Sequence, residues 1–169
     1  MFGIFLFTFP KIYLMTSQNK LSDYIKTLES YIPQHEFTNP KVSKATIGWQ
    51  IDHSLKVINN VCLAMQSSDP NTYQKNITLV GKFLLTLGKF PRGKAKAPKH
   101  VRPPEVIEKA ALITQVTDAK KNIETISVLP ANAYFKHPMF GHINKKHVTR
   151  FLEIHTKHHL KIIDDILRE

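Results

Sequence analysis

Apolar residues recur every three or four positions through much of the chain. Leu21, Tyr24, Ile25, Leu28, Tyr31 and Ile32 share one helical face, with Lys20, Asp23, Lys26 and Glu29 on the other. Pro33 has no amide hydrogen to continue the ladder and closes this first helix. A second helix is expected to begin between Ser43 and Thr46. It carries Ile47, Trp49, Val57, Ile58, Val61, Ala64 and Met65 inward, has His53 in its first half, and ends at Ser67-Ser68-Asp69-Pro70. A shorter helix is expected from about Tyr73 to Leu87, stopped by Gly88.

The stretch LGKFPRGKAKAPKHVRPPE holds four prolines and no acid before Glu105, so it reads as an extended, exposed connection. Pro104 suits the first turn of a third long helix, whose buried face is assigned to Ile107, Ala110, Ala111, Thr114, Ile123 and Ile126 before Leu129-Pro130 closes it. ANAYFKHPMFGHI shows no sustained periodicity, and a last helix runs from about Asn144 to Leu167. No segment alternates well enough to predict a strand, and no solenoid repeat is present. Four long helices, a long basic connection and a short extra helix between the second and third predict an all-α four-helix bundle. Such bundles build metal and ligand sites in their interior.

At 169 residues, one domain is expected. The chain opens on MFGIFLFTFPKIYLM, but this run has no basic leader, is interrupted at Pro10-Lys11 and is followed by no small-residue cleavage site. It is also shorter than the roughly 20 residues that cross a bilayer. Residues 1–16 are therefore expected to be an N-terminal extension, from a true start at Met15 or as an arm that packs on the domain or a neighbouring chain, and 17–169 the single domain. No membrane span is expected. One cysteine, Cys62, excludes an internal disulfide framework and a thiolate metal cluster and fits a cytoplasmic setting. Any metal must use nitrogen and oxygen ligands.

Nine histidines invite that question, three of them within IHTKHHLKII. Projected as a helix, His155 and His159 fall on the face of Val148, Phe151, Leu152, Ile162, Ile163 and Ile166, whereas His158 falls at its edge. Side chains four apart can converge on one ion. The plain alternative is a core pair that hydrogen-bonds to backbone or water, but two polar rings in an isoleucine face are costly unless both find partners. His53, in line with Trp49, Val57 and Ala64, is the best third ligand. His35, His100, His137, His142 and His147 lie in connections or near helix ends and read as solvated, and Asp52 as a solvent-facing or supporting group. Three neutral nitrogens would leave a coordination position open for water or substrate.

Trp49-x-x-x-His53, the segment HPMFG from His137 to Gly141, and His155-x-x-x-His159 with its doubled HHL together resemble the DinB-like superfamily of metalloenzymes, in particular a subfamily known only as a domain of unknown function. The similarity runs from about Ser17 to the end. It implies a four-helix bundle in which His53, His155 and His159 bind a divalent metal, zinc or nickel, with His158 outside the triad as a supporting donor. Characterised members of the superfamily include thiol-dependent transferases and isomerases that use glutathione, mycothiol or bacillithiol, and metal-dependent hydrolases. Homodimers are common among them.

A formal charge of +11 bears on partners. The basic connection holds Lys89, Arg92, Lys94, Lys96, Lys99 and Arg102, and Arg92, Lys94 and Lys96 are the candidates for binding an anionic small molecule, such as the carboxylates of a low-molecular-weight thiol. A solvated loop is the simpler reading. Phe90 is the one aromatic among these charges and no groove-reading motif appears, which argues against nucleic acid. Two functions stay open: a metal-dependent thiol S-transferase or hydrolase, and a non-catalytic bundle, with a structural metal or none, that acts by dimerisation or anionic-partner binding. Tyr134, Glu153 and His158 are proton-transfer candidates by sequence proximity alone.

Overall fold

The computed structural model describes residues 10–93 and 98–168, with side chains from residue 20 onward. Residues 1–9 of the expected extension, and Lys94 and Lys96 of the basic connection, lie outside the described residues. Among those described, the chain forms α1 (Pro10–Ser30), α2 (Ile47–Gln66), α3 (Leu79–Leu87), α4 (Lys109–Thr125), β1 (Tyr134–His137), β2 (Gly141–Asn144) and α5 (Lys145–Arg168). The fold is thus mostly helical with one small antiparallel sheet. None of the described helices is long and apolar enough to cross a membrane.

The apolar faces meet in one core, with α2 packed against α4 and α5, and α1 against the same two helices. Thr46 fixes where α2 begins: its backbone is extended and its hydroxyl accepts a hydrogen bond from the Trp49 N–H at 3.1 Å. From that start Ile47, Ile51, Leu55, Ile58 and Met65 turn fully inward. On α5 the buried stripe runs through Val148, Leu152, His159, Ile163 and Ile166. Here α1, α2 and α5 keep the phase their sequences predict, except that Ala64 on α2, expected inward, is exposed.

Elsewhere the structure departs from expectation. α4 starts at Lys109 rather than Pro104 and buries Leu112, Val116, Ala119 and Ile123, while Ala110, Ala111 and Thr114 are exposed. Alanine and threonine carry little phase information, whereas spacings of four, three and four mark one stripe. α3 starts at Leu79, not Tyr73, because the Thr78 hydroxyl caps it by accepting from the Gly81 N–H at 3.0 Å. Gly88, with φ 69°, ends α3 as expected.

The sheet overturns the expectation of no strand. Each strand has four residues, too few for alternation to show in sequence. The register runs from Tyr134↔Asn144 to His137↔Gly141 and leaves Pro138, Met139 and Phe140 as the loop. Gly141 closes this hairpin with φ 76°, and a Cβ there would lie 2.4 Å from the Asn76 carbonyl oxygen. The segment HPMFG is therefore, first of all, a turn that requires glycine.

Candidate metal centre

His53 on α2 and His155 and His159 on α5 come together where the two helices face each other. Their ring centroids lie 5.1 Å apart for His53–His155, 4.8 Å for His53–His159 and 4.6 Å for His155–His159. One nitrogen of each lies within 4.8 Å of the others. Two ligands on a tetrahedral zinc stand about 3.4 Å apart at zinc–nitrogen distances of 2.0–2.1 Å, so small rotations suffice to close the set. Trp49, one turn before His53, stacks on its ring at 5.0 Å and fixes its plane.

Hydrogen bonds select the tautomers. His53 Nδ1 is 2.8 Å from the Val101 carbonyl oxygen, and His159 Nδ1 is 2.7 Å from Gln50 Oε1. An oxygen of this kind only accepts, so both Nδ1 atoms carry the proton and both Nε2 atoms keep a bare lone pair. This is the arrangement in which an outer hydrogen bond orients a metal-binding imidazole. His155 is different: its Nδ1 is buried with no hydrogen-bond partner. Burial without a partner costs free energy that a bound cation would offset, so the donor set fits a divalent metal.

Burial also keeps these rings neutral. It holds His155 and His159 well below the ordinary imidazole range, and the neighbouring histidines push in the same direction. His53 is lowered too, because burial outweighs the Val101 hydrogen bond and the Asp52 charge that favour its cation. Neutral imidazoles are the metal-binding form.

The three histidines border a cavity of about 530 Å³ whose wall is largely aromatic and aliphatic, including Phe90, Phe135, Phe140 and Phe151. His155 is half-buried and lines this space, although its Nδ1 is fully covered. His158 lines it as well, hydrogen-bonded to the Phe90 backbone and lowered by burial and by nearby Arg92. Of the other proton-transfer candidates, neither reaches the cavity wall. Tyr134 bonds Thr72 Oγ1 through its hydroxyl at 2.8 Å, and Glu153 is buried beside Arg150. Arg92 pairs with Asp165 on α5, which offsets part of the charge expected to hold an anion.

Two sequence readings change. Asp52 is not solvent-facing: it is 2% exposed, 2.6 Å from Lys56 Nζ, and accepts from Gln115 Nε2 on α4 at 2.8 Å. His137, read as a solvated loop residue, is partly buried in the cavity wall, and burial pushes its pKa down to about 4. Its Nδ1 accepts hydrogen bonds from the Met139 and Phe140 N–H groups, both at 3.2 Å. The position of HPMFG next to the last helix was the available signal, but only the folded hairpin shows which way the ring turns.

The structure thus defines a mostly helical protein with a three-histidine cluster compatible with metal binding. The family described as "Protein of unknown function (DUF1569)" matches residues 78–165, just over half of the chain, and the chain belongs to that family. The matched segment includes His137, His155 and His159 but not His53. No curated protein and no solved structure matches the chain.

Proposed function

We propose that this protein is a DinB-like four-helix bundle, formed by α1, α2, α4 and α5, in which His53, His155 and His159 hold a divalent metal, zinc or nickel. It acts as a metal-dependent thiol S-transferase or hydrolase on a ligand bound in the adjoining cavity. The observation that carries this reading is the pair of bare Nε2 lone pairs on His53 and His159, set by Val101 and Gln50, together with the orphaned Nδ1 of His155. A divalent cation held there supplies positive charge that stabilises a thiolate or hydroxide nucleophile.

The chain's own residues do the rest. Val101 and Gln50 hold two rings in the donor tautomer, Trp49 fixes the His53 plane, and the phenylalanines give the cavity beside the histidines an apolar wall. His158 lines the cavity within the electrostatic reach of Arg92, so an anionic group of a low-molecular-weight thiol bound there would feel a positive charge that Asp165 only partly offsets.

Metal analysis of protein purified without a histidine tag tests the reading. One equivalent of metal is expected in the wild type and less than about a tenth of that in His53→Ala, since an open site left with two imidazoles is a poor competitor for metal. Equal metal in both proteins would sink the triad.

A further inference from the structure

His137 differs from the histidines of the cluster in one respect that decides its chemistry. Its Nδ1 faces back into its own hairpin loop and is the acceptor for two backbone N–H groups, Met139 and Phe140. A nitrogen that accepts from two amides cannot carry a proton, so the ring's one proton sits on Nε2. The cluster histidines His53 and His159 have the opposite tautomer. The ring of His137 is held in place by stacking on Phe140 at 4.5 Å and by edge contact with Phe151 at 5.2 Å. Phe151 in turn lies one helical turn before His155 on α5 and stacks on it at 6.1 Å. His137 lines the same cavity as the cluster while its Nδ1 is engaged by the loop, and among the described residues no group accepts a hydrogen bond from its Nε2.

We infer that His137 is a ligand-binding residue whose Nε2–H donates to an acceptor oxygen, a carboxylate or carbonyl, of a small molecule with an apolar or aromatic body. The cavity supplies both halves of that description. Phe90, Phe135, Phe140 and Phe151 contact the apolar body, and His137 is a fixed donor set into that wall. A neutral donor that can only donate is selective: it accepts an oxygen lone pair and refuses an N–H or O–H that needs an acceptor. The inference deepens the proposed function by naming the ligand's chemistry, but the tautomer does not depend on metal.

Long-range proton–nitrogen spectra of labelled protein at neutral pH, stripped of metal and again with zinc, read the tautomer directly. A protonated Nε2 and a bare Nδ1 are expected in both. Sodium benzoate, titrated into both samples, is the probe; it is expected to bind and to move the His137 Nε2 resonance. In His137→Asn the Oδ1 keeps the acceptor for the two loop amides but nothing donates at the Nε2 position. This variant is expected to bind benzoate about tenfold more weakly at unchanged zinc content. His137→Gln, whose amide nitrogen reaches the Nε2 position, recovers part of the loss. A histidine needed only as the loop's acceptor gives the opposite order. A protonated Nδ1, a wild type that does not bind benzoate, or equal affinity in the Asn variant overturns the inference. A wild type that takes up no zinc overturns the metal reading alone, because tautomer and benzoate binding are also read on the stripped protein. Should the Asn variant fail to fold, the wild-type spectra decide.

Discussion

Replacing His155 with leucine is expected to lower zinc affinity by at least about a hundredfold, a loss beyond the 10–100-fold that follows removal of a mere supporting partner. In the same molecule stripped of metal, the substitution is expected to raise stability by about 1–3 kcal/mol, the usual cost of a buried polar atom left without a partner. The two signs come from one observation. His155 Nδ1 is buried and unpaired, on a helix face it shares with Phe151, Leu152 and His159. Leucine has a similar volume and removes the orphaned nitrogen. Zinc titration against a competing chelator and urea unfolding of the metal-free proteins measure the two quantities. A leucine variant that is less stable than wild type without metal would show that the ring is a well-satisfied core residue.

Gly141→Ala is expected to destabilise the protein by about 2–5 kcal/mol, combining backbone strain at positive φ with overpacking against a neighbour that cannot move aside. The neighbour is backbone: the added Cβ would stand 2.4 Å from the Asn76 carbonyl oxygen, and the same Asn76 side chain accepts from the His142 N–H at 2.8 Å. The damage should therefore not stay local. His137 pairs with Gly141 across the hairpin, so a shift of β2 carries the His137 ring out of the cavity wall. Thermal unfolding of the variant checks the stability term. A melting temperature within a degree of wild type would mean that the loop accommodates a side chain freely.

Much of the helical frame is legible in the sequence because large apolar residues set the phase. Ile47, Val57, Ile58, Val61 and Met65 set the buried face of α2, and Val148, Leu152, Ile163 and Ile166 that of α5. The first half of α4 is misphased for the opposite reason: Ala110, Ala111 and Thr114 carry little phase information and are exposed, Leu112 and Val116 hold the core there, and only Ile123 and Ile126 are buried as their spacing predicts. The His155–His159 pair is readable because helical geometry alone brings residues four apart onto one face. The hydrogen-bond partners of the cluster are not. Val101 comes 48 residues after His53, and Gln50 comes 109 residues before His159, so no local pattern could connect them. His137 is hidden for a related reason: loop residues default to solvent, and only the packing of the hairpin on α5 buries this one.

X-ray absorption at the zinc edge, on tag-free protein loaded with one equivalent, tests the three-histidine centre most directly. The expected spectrum is that of three imidazole nitrogens at about 2.0–2.1 Å with a further light-atom ligand. A sulfur ligand, or a spectrum with fewer than three imidazoles that is unchanged in His53→Ala, would contradict it.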